Sequence, residues 1–257
     1  MKHIRRPVFL GLLATVVAVI AAACSSSASS AAKSPSPTST GTGLVQAAPG
    51  WKSLSASDFV TTVDNPWFPL IKGYTWVSKG LKDGKPIVDT FTVTGQTRVI
   101  EGVTCTVVSD VTTQQGHPVE KTRDWYAQDK QGNVWYMGEN TAELNIAGKV
   151  TSTEGTWQSG VNGAKPGLFM PAQPTVGVGG YQEYLKGQAV DQYRITRMNG
   201  SVTVPYRSFS SCMVAKETTA LEPRIVDRKY YVKGIGQVAE ETVSGSKETS
   251  FLVSFTK

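Results

Sequence analysis

His117 is the only histidine after His3, so a Ser/His/Asp or Cys/His triad would have to be built on it. It lies in Gln114-Gln115-Gly116-His117-Pro118, between two strand-like runs, which is the setting of a solvated turn residue. A single histidine cannot build a His-rich zinc site. Cys105 and Cys212 are far apart in the chain and form no CxxC motif. The acidic loop Asp129-Lys130-Gln131-Gly132-Asn133 invites a calcium reading that fails on spacing. With Gly132 as the central glycine of an EF-hand loop, Ala127 falls on the first ligand position and Gly138 on the twelfth. No metal and no cofactor is expected.

Carboxylate pairs are harder to exclude. Glu120 and Asp124 share a strand face, as do Glu222 and Asp227 if their strand begins early, and glycosidases work with two such groups. Acidic residues at alternate strand positions more commonly mark a solvent face. Arg123 and Arg228 suit either an anionic headgroup or cross-strand ion pairs. Trp67, Trp76, Trp125, Tyr126, Trp135, Tyr136 and Trp157 crowd the first half, where they make a core or line an apolar groove. Residues 160–180 hold Pro166, Pro171 and Pro174 around Leu168-Phe169-Met170. This stretch is an inter-half connector, or a lid whose apolar triplet must bury against something. Trp76, Trp125, Trp135, Leu168, Phe169 and Met170 are the candidate ligand-lining residues. With no triad, metal cluster or phosphate loop, an enzyme is not expected.

The N-terminus sets the location. Lys2, His3, Arg5 and Arg6 precede an apolar run from Val8 to Ala23 of about 16 residues, shorter than the ~20 that span a bilayer. Ala21-Ala22-Ala23 then leads into Cys24, so residues 1–23 read as a signal peptide. Cys24 followed by Ser25-Ser26-Ser27 resembles the lipobox of bacterial lipoproteins, with Ala21 in place of the usual Leu or Val. The resemblance implies a diacylglyceryl Cys24 and attachment to the outer face of the cell membrane. Without Lys2, Arg5 and Arg6, 23 basic side chains face 20 acidic ones, a net charge of +3. That modest charge, with no basic-aromatic cluster, excludes nucleic acid as a partner. Residues 24–50 are rich in Ser, Ala, Thr and Pro and read as a flexible tether, with a span of about 25–30 Å.

The folded domain is expected over 51–257, opening with a short helix at Ser55–Val63 capped by Ser57 or Asp58. An extended lead-in follows at Asp64-Asn65-Pro66-Trp67-Phe68-Pro69-Leu70. From Gly73 onward, β-branched and aromatic runs bounded by Gly, Asn, Asp and Pro predict strand after strand, paired antiparallel. Two halves, about 73–159 and 180–257, repeat one another. Gly73-Tyr74 and Cys105 recur as Gly180-Tyr181 and Cys212, and Val107 as Val214. Arg123 recurs as Arg228, Trp125-Tyr126 as Tyr230-Tyr231, and Gly132 and Val134 as Gly236 and Val238. In an exported protein the repeat-equivalent Cys105 and Cys212 are expected to form a disulfide, the alternative being two buried thiols.

Gly73-Tyr74-Thr75-Trp76-Val77, Asp124-Trp125-Tyr126-Ala127-Gln128-Asp129-Lys130 with Gly132-Asn133-Val134-Trp135-Tyr136, and Lys229-Tyr230-Tyr231-Val232 with Gly234-Ile235-Gly236-Gln237-Val238 resemble a family of uncharacterised bacterial exported lipoproteins. More loosely, the layout is similar to half-barrel lipoproteins that carry lipids. Together these imply an all-β fold, a large curved antiparallel sheet or open half-barrel. The implied function is binding of an apolar or lipid-like ligand; the alternative is an envelope-surface interaction module without one.

Overall fold

A computed structural model of the chain describes residues 43–257; Cys24, the signal peptide and most of the tether lie outside the described residues. Period-two alternation of apolar and polar side chains dominates from Thr75 onward and produces long strands. The first half holds β1 (Thr75–Lys82), β2 (Lys85–Ile100), β3 (Val103–Gln114), β4 (His117–Asp129), β5 (Val134–Leu144) and β6 (Lys165–Met170). The second holds β7 (Gly179–Tyr181), β8 (Asp191–Thr203), β9 (Ser208–Thr219), β10 (Val226–Val232), β11 (Gly236–Ser244) and β12 (Thr249–Thr256). Asp83-Gly84, Glu101-Gly102 and Gln115-Gly116 all have positive φ and make the two-residue hairpins that join β1 to β4.

Apart from β6 and β7, each strand pairs with its sequence neighbour, and β12 pairs with β1, so the two halves form one continuous antiparallel sheet of 16 strands with the short pieces included. The sheet curls until its two ends nearly meet, leaving one seam. A single run crosses that seam. Its first part, β7, pairs with β8, and Glu183–Tyr184 then pairs with Lys165 and Pro166 of β6. Backbone meets backbone there: a Cβ at Gly167 would lie 2.2 Å from the Gln182 carbonyl carbon, and one at Gly179 2.2 Å from the Tyr193 oxygen. Trp51 locks the run from outside. Its indole N–H donates to the Tyr181 carbonyl at 2.7 Å and its ring lies against Gly180.

Each face of the first half has its own core. The inner face carries Trp76, Phe91, Val93, Val108, Tyr126, Tyr136 and Phe169, and the lead-in inserts Trp67, Phe68 and Leu70 among them. Asn65 fixes the lead-in by donating to the Gly132 carbonyl at 2.8 Å, and the Pro66 carbonyl accepts from Gly234 at 2.7 Å. One segment thus binds the repeat-equivalent hairpins of both halves. The outer face carries Ile100, Val103, Val107, Trp125, Trp135, Met137 and Leu168 beneath a strap of residues 43–60. In the strap Leu44–Val45 pairs with Leu54–Ser55, and Phe59–Val60 pairs with the end of β4.

Four expectations change. Val45 and Ala48 are 1% and 0% exposed, so ordered structure begins before Trp51, inside the stretch expected as tether. The expected Ser55–Val63 helix is a single 3-10 turn, Ala56–Asp58, with Ser55 as N-cap and Asp58 returning the capping-box bond. Lys165–Met170, read as connector or lid, is strand β6, because both its faces are buried and no alternation marks it. Cys105 and Cys212 are free. Cys105 packs in the outer core cluster and Cys212 in the inner one.

Trp51→Ala is expected to destabilise the domain by about 3 kcal/mol, the usual scale for truncating a packed tryptophan. Gly180→Val, whose Cβ would press within 2.6 Å of the same ring, should act in the same direction. Chemical denaturation of both variants checks this; wild-type midpoints would show that Trp51 does not hold the seam.

Candidate functional site: the interior carboxyl belt and an outer groove

Inside the barrel the apolar inner face gives way to a polar one along the same strands. Val93, Val108, Asp124 and Glu139 form one cross-strand row, Phe91, Asp110, Thr122 and Thr141 the next, and Asp89, Thr112, Glu120 and Glu143 the one after. Strand alternation therefore brings Asp89, Asp110, Asp124 and Glu139 into the interior. Hydroxyls serve them. Thr112 donates to Asp89 at 3.1 Å, the Tyr136 hydroxyl to Asp124 at 2.5 Å, and Thr141 to Glu139 at 3.1 Å. Asp89 and Asp110 are neighbours inside the barrel, and the charge of Asp89 disfavours a second charge on Asp110. Burial raises the Asp89 carboxyl. Burial, then the neighbouring Asp89 charge, raises Asp110 well above the ordinary range.

The second half contributes an ionic knot. Lys229 lies 2.6 Å from Glu217 and 3.8 Å from Glu240. Burial opposes its charge, but Glu217 and Glu240 outweigh this and hold the ammonium above the usual lysine range. Burial pushes the Glu240 carboxyl up to about 7, against the pull of Lys229. Gln182 of the seam run donates to Glu217 at 2.8 Å, and Gln237 to Glu240 at 3.1 Å. The knot thus ties the seam from inside.

The six candidate ligand-lining residues do not share a wall. Trp76, Phe169 and Met170 belong to the inner core, Trp125, Trp135 and Leu168 to the outer one, and all are buried. Trp76 donates to the Ile235 carbonyl at 2.7 Å and Trp135 to Asp129 at 2.9 Å. The space bounded by Phe68, Trp76, Phe91, Gly236 and Gln237 holds about 10 Å³, roughly one water.

His117 begins β4 at the edge of a surface hollow of about 390 Å³, with Lys85, Gln114, Val119 and Ile146. That lining brings the imidazole no carboxylate or hydroxyl. Glu120 pairs with Lys82 at 2.7 Å, and Asp227 accepts from Thr242 at 2.5 Å, so neither expected carboxylate pair stands as a pair. Glu222 lies in the turn before β10, its carbonyl accepting from Ile225. Arg228 meets Glu241 across strands at 3.5 Å, while Arg123 bonds Gln96 at 2.9 Å. Sequence reasoning missed Asp89, Asp110 and the Lys229 knot. Their one signal was Thr or Lys at the cross-strand positions.

A second concavity lies on the outer face of β8, β9 and β10. This groove of about 350 Å³ is lined by Arg197, Gly200, Val214, Lys216, Val226 and Tyr230, among others.

No family model matches the chain, and no curated protein is similar to it in sequence. Two solved structures are similar to it. A presumed exported protein with YmcC-like fold from Bacteroides fragilis is 14% identical, covering 74% of this chain and 99% of its own, with a TM-score of 0.44. A presumed lipoprotein from Parabacteroides distasonis is 13% identical, covering 75% and 99%, with a TM-score of 0.40.

The belt sets the response to pH. Asp89, Asp110 and Glu240 are raised carboxyls, so the folded chain holds their protons more tightly than the unfolded chain does. Their stabilisation is complete below the ordinary carboxylate range, about pH 4. It is lost as pH rises through the raised values, about 7 for Glu240. Thermal melts are expected to give a higher Tm at pH 5 than at pH 8. Asp110→Asn, which keeps a donor for Asp89 without titrating, should flatten that slope. Equal slopes in wild type and variant would mean that Asp110 does not contribute to it.

Proposed function

We propose that this chain is a lipoprotein of the outer face of the cell membrane, exported by residues 1–23 and attached through Cys24, and that its domain works as a surface interaction module. The observation that carries the module reading is the filled interior. Phe68 meets Phe169 at 4.6 Å and Tyr126 at 5.2 Å between ring centroids, and Tyr126 stacks on Tyr136 at 4.7 Å. Pockets that enclose small ligands run to about 300–1,000 Å³, whereas the space beside Trp76 holds about 10 Å³. The apolar-ligand reading keeps one point in its favour, the near closure of the sheet. Against it, the residues that would line the ligand are spent on two separate cores. We propose no enzymatic activity, since among the described residues no carboxylate or hydroxyl lines the hollow at His117.

Native mass spectrometry of the chain from Ser25 onward, expressed in its native host, is expected to give the mass of the bare polypeptide. A lipid-sized adduct that disappears in Phe169→Asp would overturn the module reading in favour of carriage. Separately, Cys24→Ser should shift the protein from the membrane fraction to the soluble one; unchanged fractionation would remove the anchor.

A further inference from the structure

The second half repeats on its outer face a Val–aromatic pair that the first half covers. In the first half Val107 pairs across strands with Trp125, and Arg98 lies over the Trp125 ring at 4.2 Å. Val45, Ala47, Leu54, Ala56 and Phe59 of the strap pack over this face. The duplicated pair in the second half is Val214 with Tyr230, and Arg197 stands opposite Val214 on β8. Here the pair, with Arg197 beside it, walls the open groove of about 350 Å³. Gly200 shapes its floor. A Cβ there would come within 2.4 Å of Val214, so the missing side chain lets β8 settle close to β9.

The charges in the groove are unevenly committed. Arg228 faces Glu241, and Asp227 accepts from Thr242. Among the described residues Arg197 and Lys216 have no ion-pair partner, and both are exposed. The groove thus joins an apolar-aromatic floor of Val214, Val226 and Tyr230 to two uncommitted cations.

We propose that this groove binds an extended peptide segment of a partner protein, with small apolar side chains on Val214 and Tyr230 and a carboxylate at Arg197 and Lys216. The proposal rests on the interaction-module reading and gives its partner a chemistry. The first half supplies the precedent, because the occupant of its equivalent face is a peptide segment. The cations supply the sign of the charge, since each attracts a carboxylate and steers its approach.

The test uses the chain from Ser25 onward and a labelled peptide with the sequence of residues 43–60 carrying Lys52→Glu. The first-half face already holds its own strap, which leaves the second-half groove for the added peptide. Fluorescence anisotropy should show saturable binding, weakened about tenfold or more by Arg197→Glu with Lys216→Glu, whose thermal melt should be unchanged, and also weakened by Tyr230→Ala. Equal binding by wild type and the charge-reversed variant overturns the proposal, as does no saturation at millimolar peptide. Capture of the protein by phosphatidylglycerol vesicles, lost in the same variant while the peptide does not bind, overturns it in favour of a lipid headgroup. A lipid found inside the barrel by mass spectrometry would remove the module reading and leave this assay to stand or fall separately.

Discussion

The closure of the sheet depends on one short run, Gly179 to Tyr184, which hydrogen-bonds first to β8 and then to β6. A curved sheet with free ends exposes two rows of unpaired backbone groups, and a run that pairs with both ends satisfies them at once. The geometry admits only glycine where the backbones press together, at Gly167 and Gly179. Trp51 holds the run from outside, and Gln182 holds it from inside through Glu217 and Lys229. The strap, the ionic knot and the duplicated sheet therefore converge on the same few residues.

Closure also gives the barrel interior two ends of different chemistry. The aromatic end is filled by the lead-in, whose Phe68 reaches rings of β2, β4 and β6. The polar end buries carboxyls that water would otherwise solvate, an arrangement that is costly unless they are hydrogen-bonded, paired or protonated. All three remedies have a counterpart here: hydroxyl donors for Asp89, Asp124 and Glu139, an ammonium for Glu217, and carboxyls of Asp89 and Asp110 that burial holds toward the protonated form. The interior is thus occupied by rings at one end and by a polar network at the other.

Much of the fold was legible in the sequence, for local reasons. Alternation and the hairpin glycines mark the strands of each meander, and the repeat of Trp125-Tyr126 as Tyr230-Tyr231 places equivalent residues on equivalent strands. What was not legible depends on parity and closure. The repeat-equivalent Cys105 and Cys212 pack in different core clusters, which equal spacing along the chain does not reveal. Asp89, Asp110 and Asp124 alternate as solvent-facing residues do, and only the curl of the sheet turns that face inward. The strand at Lys165–Met170 is buried on both sides, so it lacks the pattern that reveals the others. The candidate ligand wall failed for the same reason: adjacent aromatic and aliphatic residues on a strand point to opposite faces.

The free thiols make the order of oxidation and folding matter. Cys105 and Cys212 end in separate cores, both fully buried. Burial pushes the Cys105 thiol up to about 12, so once the chain has folded it is unreactive toward oxidants, which attack thiolates. The unfolded chain has no such protection, and nothing in it keeps the two sulfurs apart. A bond formed at that stage would have to be reduced before β3 and β9 could place their cysteines in different cores. In an oxidising compartment, rapid collapse of the two meanders would therefore preserve the fold kinetically, independently of its equilibrium stability.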